Sequence, residues 1–351
     1  QGNVAWQREK LKKAYSYLKS AYEAGELSEN DNVRAYALCW LSWVCADMGM
    51  FKDGIECGEK ALTIAKKLKT DHYLYYKSIA GIGRNSLYMG HAVRSREVGE
   101  HLLEYGKKHS HIRSLVMGHW GIGDSHLANG DYKSASESYK NAYDVAVDPF
   151  YKFGSGVYRL VAYINDENFE IAKPLSIELT NYCKKTKWTH GDTIAGMIAG
   201  ILAIEDGNWS KGLDEIMHKL QFCYDIERWG LIPIAEYTVG KIFLTIVLGE
   251  RSVNSITLIK NLDFVFRNAI FANRRAEEYF QKSIETAKKI GADGIMGQAL
   301  YGLGMLSKKQ KNNEKARDYF VKSMMAFESA GASLYFDLSK SELSLLDNIP
   351  R

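Results

Sequence analysis

The chain has 351 residues, 46% hydrophobic and 25% charged, with only 4 prolines, a balance that excludes disorder and suits long helices around a large buried area. Its 46 basic and 42 acidic residues leave a net charge of +4, and basic pairs such as Lys66-Lys67, Lys184-Lys185 and Lys308-Lys309 fall at expected helix ends, complementing the helix dipole, so nucleic acid is not an expected partner. There is neither a run of about 18 apolar residues nor a signal peptide, and the five cysteines (Cys39, Cys45, Cys57, Cys183, Cys223) lack a CxxC pair, which together predict a reduced, cytoplasmic protein without membrane insertion.

In chain order, the first expected element is a helix over 4–27, opening at Val4-Ala5-Trp6 without an initiator methionine, as in a piece of something longer. A turn marker then recurs: Gly49-Met50-Phe51, Gly90-His91-Ala92, Gly130-Asp131-Tyr132, Glu167-Asn168-Phe169 and Gly207-Asn208-Trp209. Its spacing of about 40 residues signals helical hairpins that bury their apolar faces only by stacking on neighbours. The third hairpin, from about Ile112 to Val147, is the clearest. Its first helix carries His119, Ile122, Gly123 and His126, and its second Ala135, Tyr139 and Ala142. These reproduce tetratricopeptide positions, in which small residues at a helix crossing let large ones interlock.

The same frame fits hairpin one (Leu38, Leu41, Ser42; Gly54, Gly58, Ala61), hairpin two (Ile79, Ile82, Gly83; Ser95, Gly99, Leu102) and, less regularly, hairpin four (Leu160, Tyr163; Ala172, Ser176, Leu179). Hairpin five has a helix of small residues, Gly196, Ala199, Gly200 and Ala203. In hairpin six the interval from Gly240 to Gly304 exceeds the period by about 24 residues. This places an insertion at 249–273, where Ile256, Ile259, Leu262, Phe266 and Ile270 recur at helical spacing. The insert is expected to pack across the hairpins, with partner docking as the alternative; the second helix resumes at Arg274-Arg275-Ala276. Hairpin seven returns to the frame with Leu300, Leu303 and Gly304, then Ala316, Phe320 and Ser323. A helix over 333–346 lacks a partner and reads as a cap. The expected fold is all-α: a right-handed α-solenoid of about seven tetratricopeptide-like hairpins, one domain over 1–351, with a C-terminal capping helix.

Such an array leaves little from which to build a reaction centre. Gly81-Ile82-Gly83 and Gly121-Ile122-Gly123 lack the third glycine and preceding strand of a nucleotide loop, and no GxxxxGK[ST] occurs. His109 with His111, and His119 with His126, lack a cysteine or carboxylate companion at ligand spacing. No catalytic, metal or cofactor-binding residue is therefore assigned, and no cofactor is expected. Binding is expected instead on the groove-facing positions of the first helices: Tyr36, Trp43, Lys77, Arg84, Trp120, Asp124, Tyr237, Lys241, Tyr301 and Lys308. Aromatic anchors beside charges are the usual content of a binding hot spot.

Several segments carry a more specific likeness. Leu102-Leu103-Glu104-Tyr105-Gly106-Lys107-Lys108-His109-Ser110, Ile112-Arg113-Ser114-Leu115, Gly130-Asp131-Tyr132, Asp148-Pro149-Phe150-Tyr151, Ala276-Glu277-Glu278-Tyr279-Phe280, Ile290-Gly291-Ala292, Gly297-Gln298-Ala299 and Leu303-Gly304 resemble the C-terminal tetratricopeptide region of large bacterial class III adenylate/guanylate cyclases. The resemblance spans about Ala35 to Leu346 and includes the insertion before Ala276. In that family a cyclase domain and a P-loop ATPase precede the helical array. The metal-binding aspartates of the cyclase and the Walker lysine of the ATPase have no counterpart here. The resemblance therefore implies a non-catalytic sensor or scaffold arm of a cyclic-nucleotide signalling protein, binding a protein or peptide in its concave groove, with ATPase and cyclase domains attached. A small-molecule sensor, with its ligand near the Gly196 to Ala203 helix or the insert, and a structural or oligomerisation arm are the alternatives.

Overall fold

The computed structural model describes residues 1–68, 71–186, 188–249, 261 and 269–347. Among these, every regular element is helical. Two helices open the chain, α1 (Gly2–Gln7) and α2 (Leu11–Leu27). Seven successive pairs follow: α3 (Asp31–Asp47) with α4 (Phe51–Leu68), α5 (His72–Met89) with α6 (Ala92–Lys108), α7 (Ile112–Asn129) with α8 (Tyr132–Val145), α9 (Pro149–Asn165) with α10 (Phe169–Thr186), α11 (Thr189–Glu205) with α12 (Trp209–Asp225), α13 (Ile232–Leu248) with α14 (Ala272–Ile290), and α15 (Asp293–Lys309) with α16 (Asn313–Ala330). A last helix, α17 (Ser333–Asp347), completes the series. The architecture is the all-α array of tetratricopeptide-like hairpins that the period predicts.

The turn markers explain why the pairs break where they do. All five lie in left-handed backbone: Gly49 at φ 71°, Gly90 at 82°, Gly130 at 89°, Glu167 at 55° and Gly207 at 78°. Glycine enters this region without steric cost, so four of the five turns are unstrained, and Glu167 is the exception. Helix starts are fixed by side-chain caps. Asn30, Asp71, Asp131 and Asn312 each accept a hydrogen bond from the backbone N–H three residues on, at 3.0–3.1 Å.

One expected element is corrected. The predicted helix over 4–27 is two helices, because the backbone turns at Arg8 to Lys10, where Glu9 adopts φ 55°. The turn sends Trp6 and Glu9 inward, and both are buried.

The chain divides into two compact units, Gln1–Ala195 with Asp225–Gly230, and Gly196–Tyr224 with Leu231–Arg351. In the first unit, α3, α5, α7 and α9 each touch the next in that series as well as their hairpin partners. Side chains one hairpin apart are therefore neighbours on the first-helix face. Gly99 and Gly121 bring the backbones of α6 and α7 into direct contact, since a Cβ on Gly121 would lie 2.7 Å from the Gly99 Cα.

In the second unit, α13 touches both α14 and α15. A ring from each second helix lies over a first-helix glycine, Phe280 on Gly240 and Phe320 on Gly304, as Tyr139 lies on Gly123 in the first unit. The small-residue helix of hairpin five approaches its partner closely, Gly200 lying against Gly212. Of the insert, Ile256, Ile259, Leu262 and Phe266 lie outside the described residues. Ile270 sits exposed in a 3-10 turn, Ala269–Phe271. Asn261 is buried; its amide donates to the Gly207 carbonyl at 2.6 Å and its side-chain oxygen accepts from the Trp209 N–H at 3.2 Å. That residue of the insert thereby satisfies backbone groups at the start of α12.

Candidate functional site

The first-helix face of the first unit gathers five of the residues chosen from the sequence, Trp43 from α3, Lys77 and Arg84 from α5, and Trp120 and Asp124 from α7. All five are buried. The Trp43 indole N–H donates to the Lys77 carbonyl at 3.2 Å, while the Lys77 ammonium sits 3.4 Å from the Trp43 ring centre and 4.7 Å from that of Trp40. A cation held against indole rings in a desolvated site is stabilised by their negative faces. Arg84 donates to Asp47 and to the Tyr158 hydroxyl, both at 3.0 Å. The Trp120 indole donates to Ser155 at 2.8 Å, and Tyr139 donates to Asp124 at 2.7 Å. What remains open among Trp43, Arg84, Trp120, Asp124 and Tyr158 is about 20 Å³, room for roughly one water.

Beside this cluster, Asp47 is closed in by residues that lie outside the repeat frame. Trp6, on α1, donates its indole N–H to Asp47 at 2.6 Å. Arg228, fully buried, donates to Glu9 at 2.7 Å and lies 3.4 Å from Asp47. Thr193 also donates to Glu9, at 3.0 Å, and the Gly230 N–H donates to the Asp47 carbonyl at 2.9 Å. Two carboxylates and two guanidiniums are thus held together with almost no access to water. A buried charge is tolerated only when paired and hydrogen-bonded. One signal was legible, Asp47 inside the apolar run Trp43-Val44-Cys45-Ala46-Asp47; its distant partner was not.

Burial also moves the proton equilibria. Desolvation pushes the Lys77 ammonium down to about 7, aided by Arg84 and Arg113 and opposed by Cys39. It pushes the Asp124 carboxyl up to about 7, against the Tyr139 hydrogen bond and the Arg84 charge. Both groups therefore exchange protons near neutrality.

The other predicted residues lie apart from this cluster. Tyr36 is exposed, donating to Asp71 at 2.8 Å with its ring stacked on Tyr73. In the second unit, Tyr237 is half-buried with its ring 6.0 Å from Phe280, and Lys241 is exposed. Tyr301, half-buried, lies 5.6 Å from Phe320, and Lys308 pairs with Glu342 of α17. The glycine pairs that mimic a phosphate loop are inside α5 and α7. His111 caps α7 by accepting from Ser114 at 3.2 Å, and His126 lies 3.2 Å from Asp131. Among the described residues, no three His, Cys, Asp or Glu side chains are placed to hold a metal ion, and no helix is long and apolar enough to cross a membrane.

A tetratricopeptide-repeat family model matches residues 297–327, within α15 and α16. No curated protein matches the sequence. Among solved structures, a Rap protein complexed with competence and sporulation factor is similar at a TM-score of 0.59 and 11% identity, over 89% of this chain and 85% of that one. The apo form of RapI is similar at 0.51 and 16%, over 82% and 96%. NprR in complex with its cognate peptide NprX is similar at 0.51 and 13%, over 86% and 82%. At these identities the likeness is one of fold: this chain carries a tetratricopeptide repeat and shares an all-helical hairpin array with these proteins.

Proposed function

We propose that this chain is a non-catalytic regulatory module that binds a peptide or protein segment on its first-helix faces. The observation that carries the reading is the buried cluster of Trp43, Lys77, Arg84, Trp120 and Asp124 in the first unit, beside which the chain's own Trp6 and Arg228 close on Asp47. A generic helical array needs only apolar packing there. Charges and indoles at that depth are costly to bury, and they suit recognition of a segment offering the same pair of groups, an indole or other ring and a guanidinium. The fold similarity supports this, since Rap was solved with competence and sporulation factor and NprR with its cognate peptide. Tyr36 extends the first unit's face, and Tyr237, Lys241, Tyr301 and Lys308 form a second set in the other unit.

The likeness to the helical region of class III cyclases supports a finer reading. In it the module is the cytoplasmic sensor or scaffold arm of a bacterial cyclic-nucleotide signalling protein, relaying occupancy to attached ATPase and cyclase domains. The binding reading is tested by selecting peptides from a displayed random library on the purified chain and measuring their affinity for a Trp120→Phe, Arg84→Gln variant whose helicity matches the parent. Selected peptides are expected to bind the variant at least about tenfold more weakly. Unchanged affinity would remove the face from the binding site.

A further inference from the structure

A separate feature of the first unit is a crevice of about 360 Å³ between the C-terminal ends of α4 and α6 and the start of α5. That volume lies within the range of small-molecule sites and is too large for a lone ion. Two ammonium groups line it, Lys66 from the last turn of α4 and Lys108 from the end of α6. Neither makes a hydrogen bond or ion pair among the described residues.

The wall between them is built from rings that fix one another. His72 and Tyr105 are joined through the imidazole Nδ1 and the phenol at 2.5 Å, and Tyr75 meets the His101 Nε2 at 2.9 Å. Tyr75 stacks on Tyr105 with ring centres 4.3 Å apart, and His109 lies 4.4 Å beyond. Each of these contacts occupies one imidazole nitrogen and leaves the other, Nε2 of His72 and Nδ1 of His101, without a hydrogen-bond partner among the described residues.

Two carboxylates also line the crevice, and they differ. Both oxygens of Asp71 are committed, one to the Leu74 N–H at 3.0 Å and the other to the Tyr36 hydroxyl at 2.8 Å. Glu104 has no hydrogen-bond or ion-pair partner among the described residues. Against the two lysines, Glu104 is thus the single uncommitted negative group in the lining. These donors line one crevice and suit an anion with several acceptor oxygens, and the stacked tyrosine pair beside them adds aromatic surface.

We propose that this crevice binds a small phosphate ester carrying a planar ring, with the phosphate held by Lys66, Lys108 and the free nitrogens of His72 and His101, and the ring lying along Tyr75 and Tyr105. This goes beyond peptide binding and does not depend on it. The test is calorimetric titration of the intact chain with three probes, adenosine 5′-monophosphate, inorganic phosphate and adenosine. The nucleotide is expected to bind saturably below about 1 mM and at least about tenfold more tightly than either fragment. A Lys66→Ala, Lys108→Ala variant, altered only at exposed positions, is expected to lose about tenfold in affinity with an unchanged melting temperature. Glu104→Gln is expected to bind about threefold more tightly, because it removes the opposing charge. Absence of saturation by the nucleotide, equal binding of inorganic phosphate, indifference to the lysine pair, or weaker binding by Glu104→Gln would each overturn the assignment.

Discussion

Lys77 and Asp124 lie on neighbouring first helices, and burial drives their proton equilibria toward each other from opposite ends of the scale. Between the ordinary carboxylate value of 3.8 and about 7, the folded chain holds a proton on Asp124 that the unfolded chain has released, so this group's contribution falls as pH rises. Between about 7 and 10.5, the unfolded chain holds a proton that Lys77 has given up in the folded state, so stability rises with pH. The two effects meet in a minimum near neutrality, each on the order of a few kcal/mol. Lys77→Met should flatten the rise above neutral pH and Asp124→Asn the fall below it, as read from urea midpoints between pH 5 and 9. Parallel curves for parent and variants would contradict the burial of these charges. Glu167 offers a simpler case, since it occupies the turn position that glycine fills at the other four markers. Glu167→Gly is expected to stabilise the chain by about 1 kcal/mol in chemical denaturation. That comparison was available from the sequence, because the marker's spacing held while its residue changed.

Among the elements, α1 and the segment 225–230 stand out, because hydrogen bonds from Trp6, Arg228 and the Gly230 N–H join them to Asp47 of α3. Arg228 reaches Glu9 and Asp47, which lie 219 and 181 residues away in sequence. Arg228→Ala leaves both carboxylates buried with less compensation and is expected to cost about 3–5 kcal/mol. Arg228→Met fills the space without the charge, and Glu9→Gln together with Arg228→Met should recover much of the loss. Hydrogen exchange at α1 amides reports the effect directly, and slow exchange retained in Arg228→Ala would show that α1 is held by something else. No periodicity marks such a pairing. The sequence exposes what repeats, so the placing of Trp43, Lys77, Arg84, Trp120 and Asp124 on neighbouring first helices follows from their shared frame, while Trp6, Glu9 and Arg228 fall outside any hairpin and carry no such signal. The single predicted N-terminal helix failed for a related reason. Its break at Glu9 is imposed by the partners that Trp6 and Glu9 find, not by a local glycine or proline.

Across the whole molecule, most neighbours are close in sequence, as expected when each hairpin stacks on the next. The first unit departs from this, since it consists of residues 1–195 completed by residues 225–230. A fragment ending at Ala195 contains Glu9 but not Arg228. Glu9→Gln should therefore cost roughly 3 kcal/mol in the full chain and far less in fragment 1–195, which lacks the Arg228 charge and keeps the Thr193 hydroxyl, a donor that an amide oxygen can also accept from. Equal costs in the two contexts, measured by denaturant unfolding, would show that Arg228 is not what Glu9 requires. The seven-hairpin order was legible because one period governs it, but the division into units was not, because three passages of the chain between them leave no mark in composition.

The late arrival of Arg228 also bears on how the chain is made. Synthesis runs from the N-terminus, so α1 through α10 leave the ribosome while the guanidinium that neutralises Glu9 has yet to be translated. Until then Glu9 lacks its guanidinium partner, while Asp47 already has Trp6 and Arg84. That interval is the stage of the protein's life at which its own covering segment does not yet compete for the face.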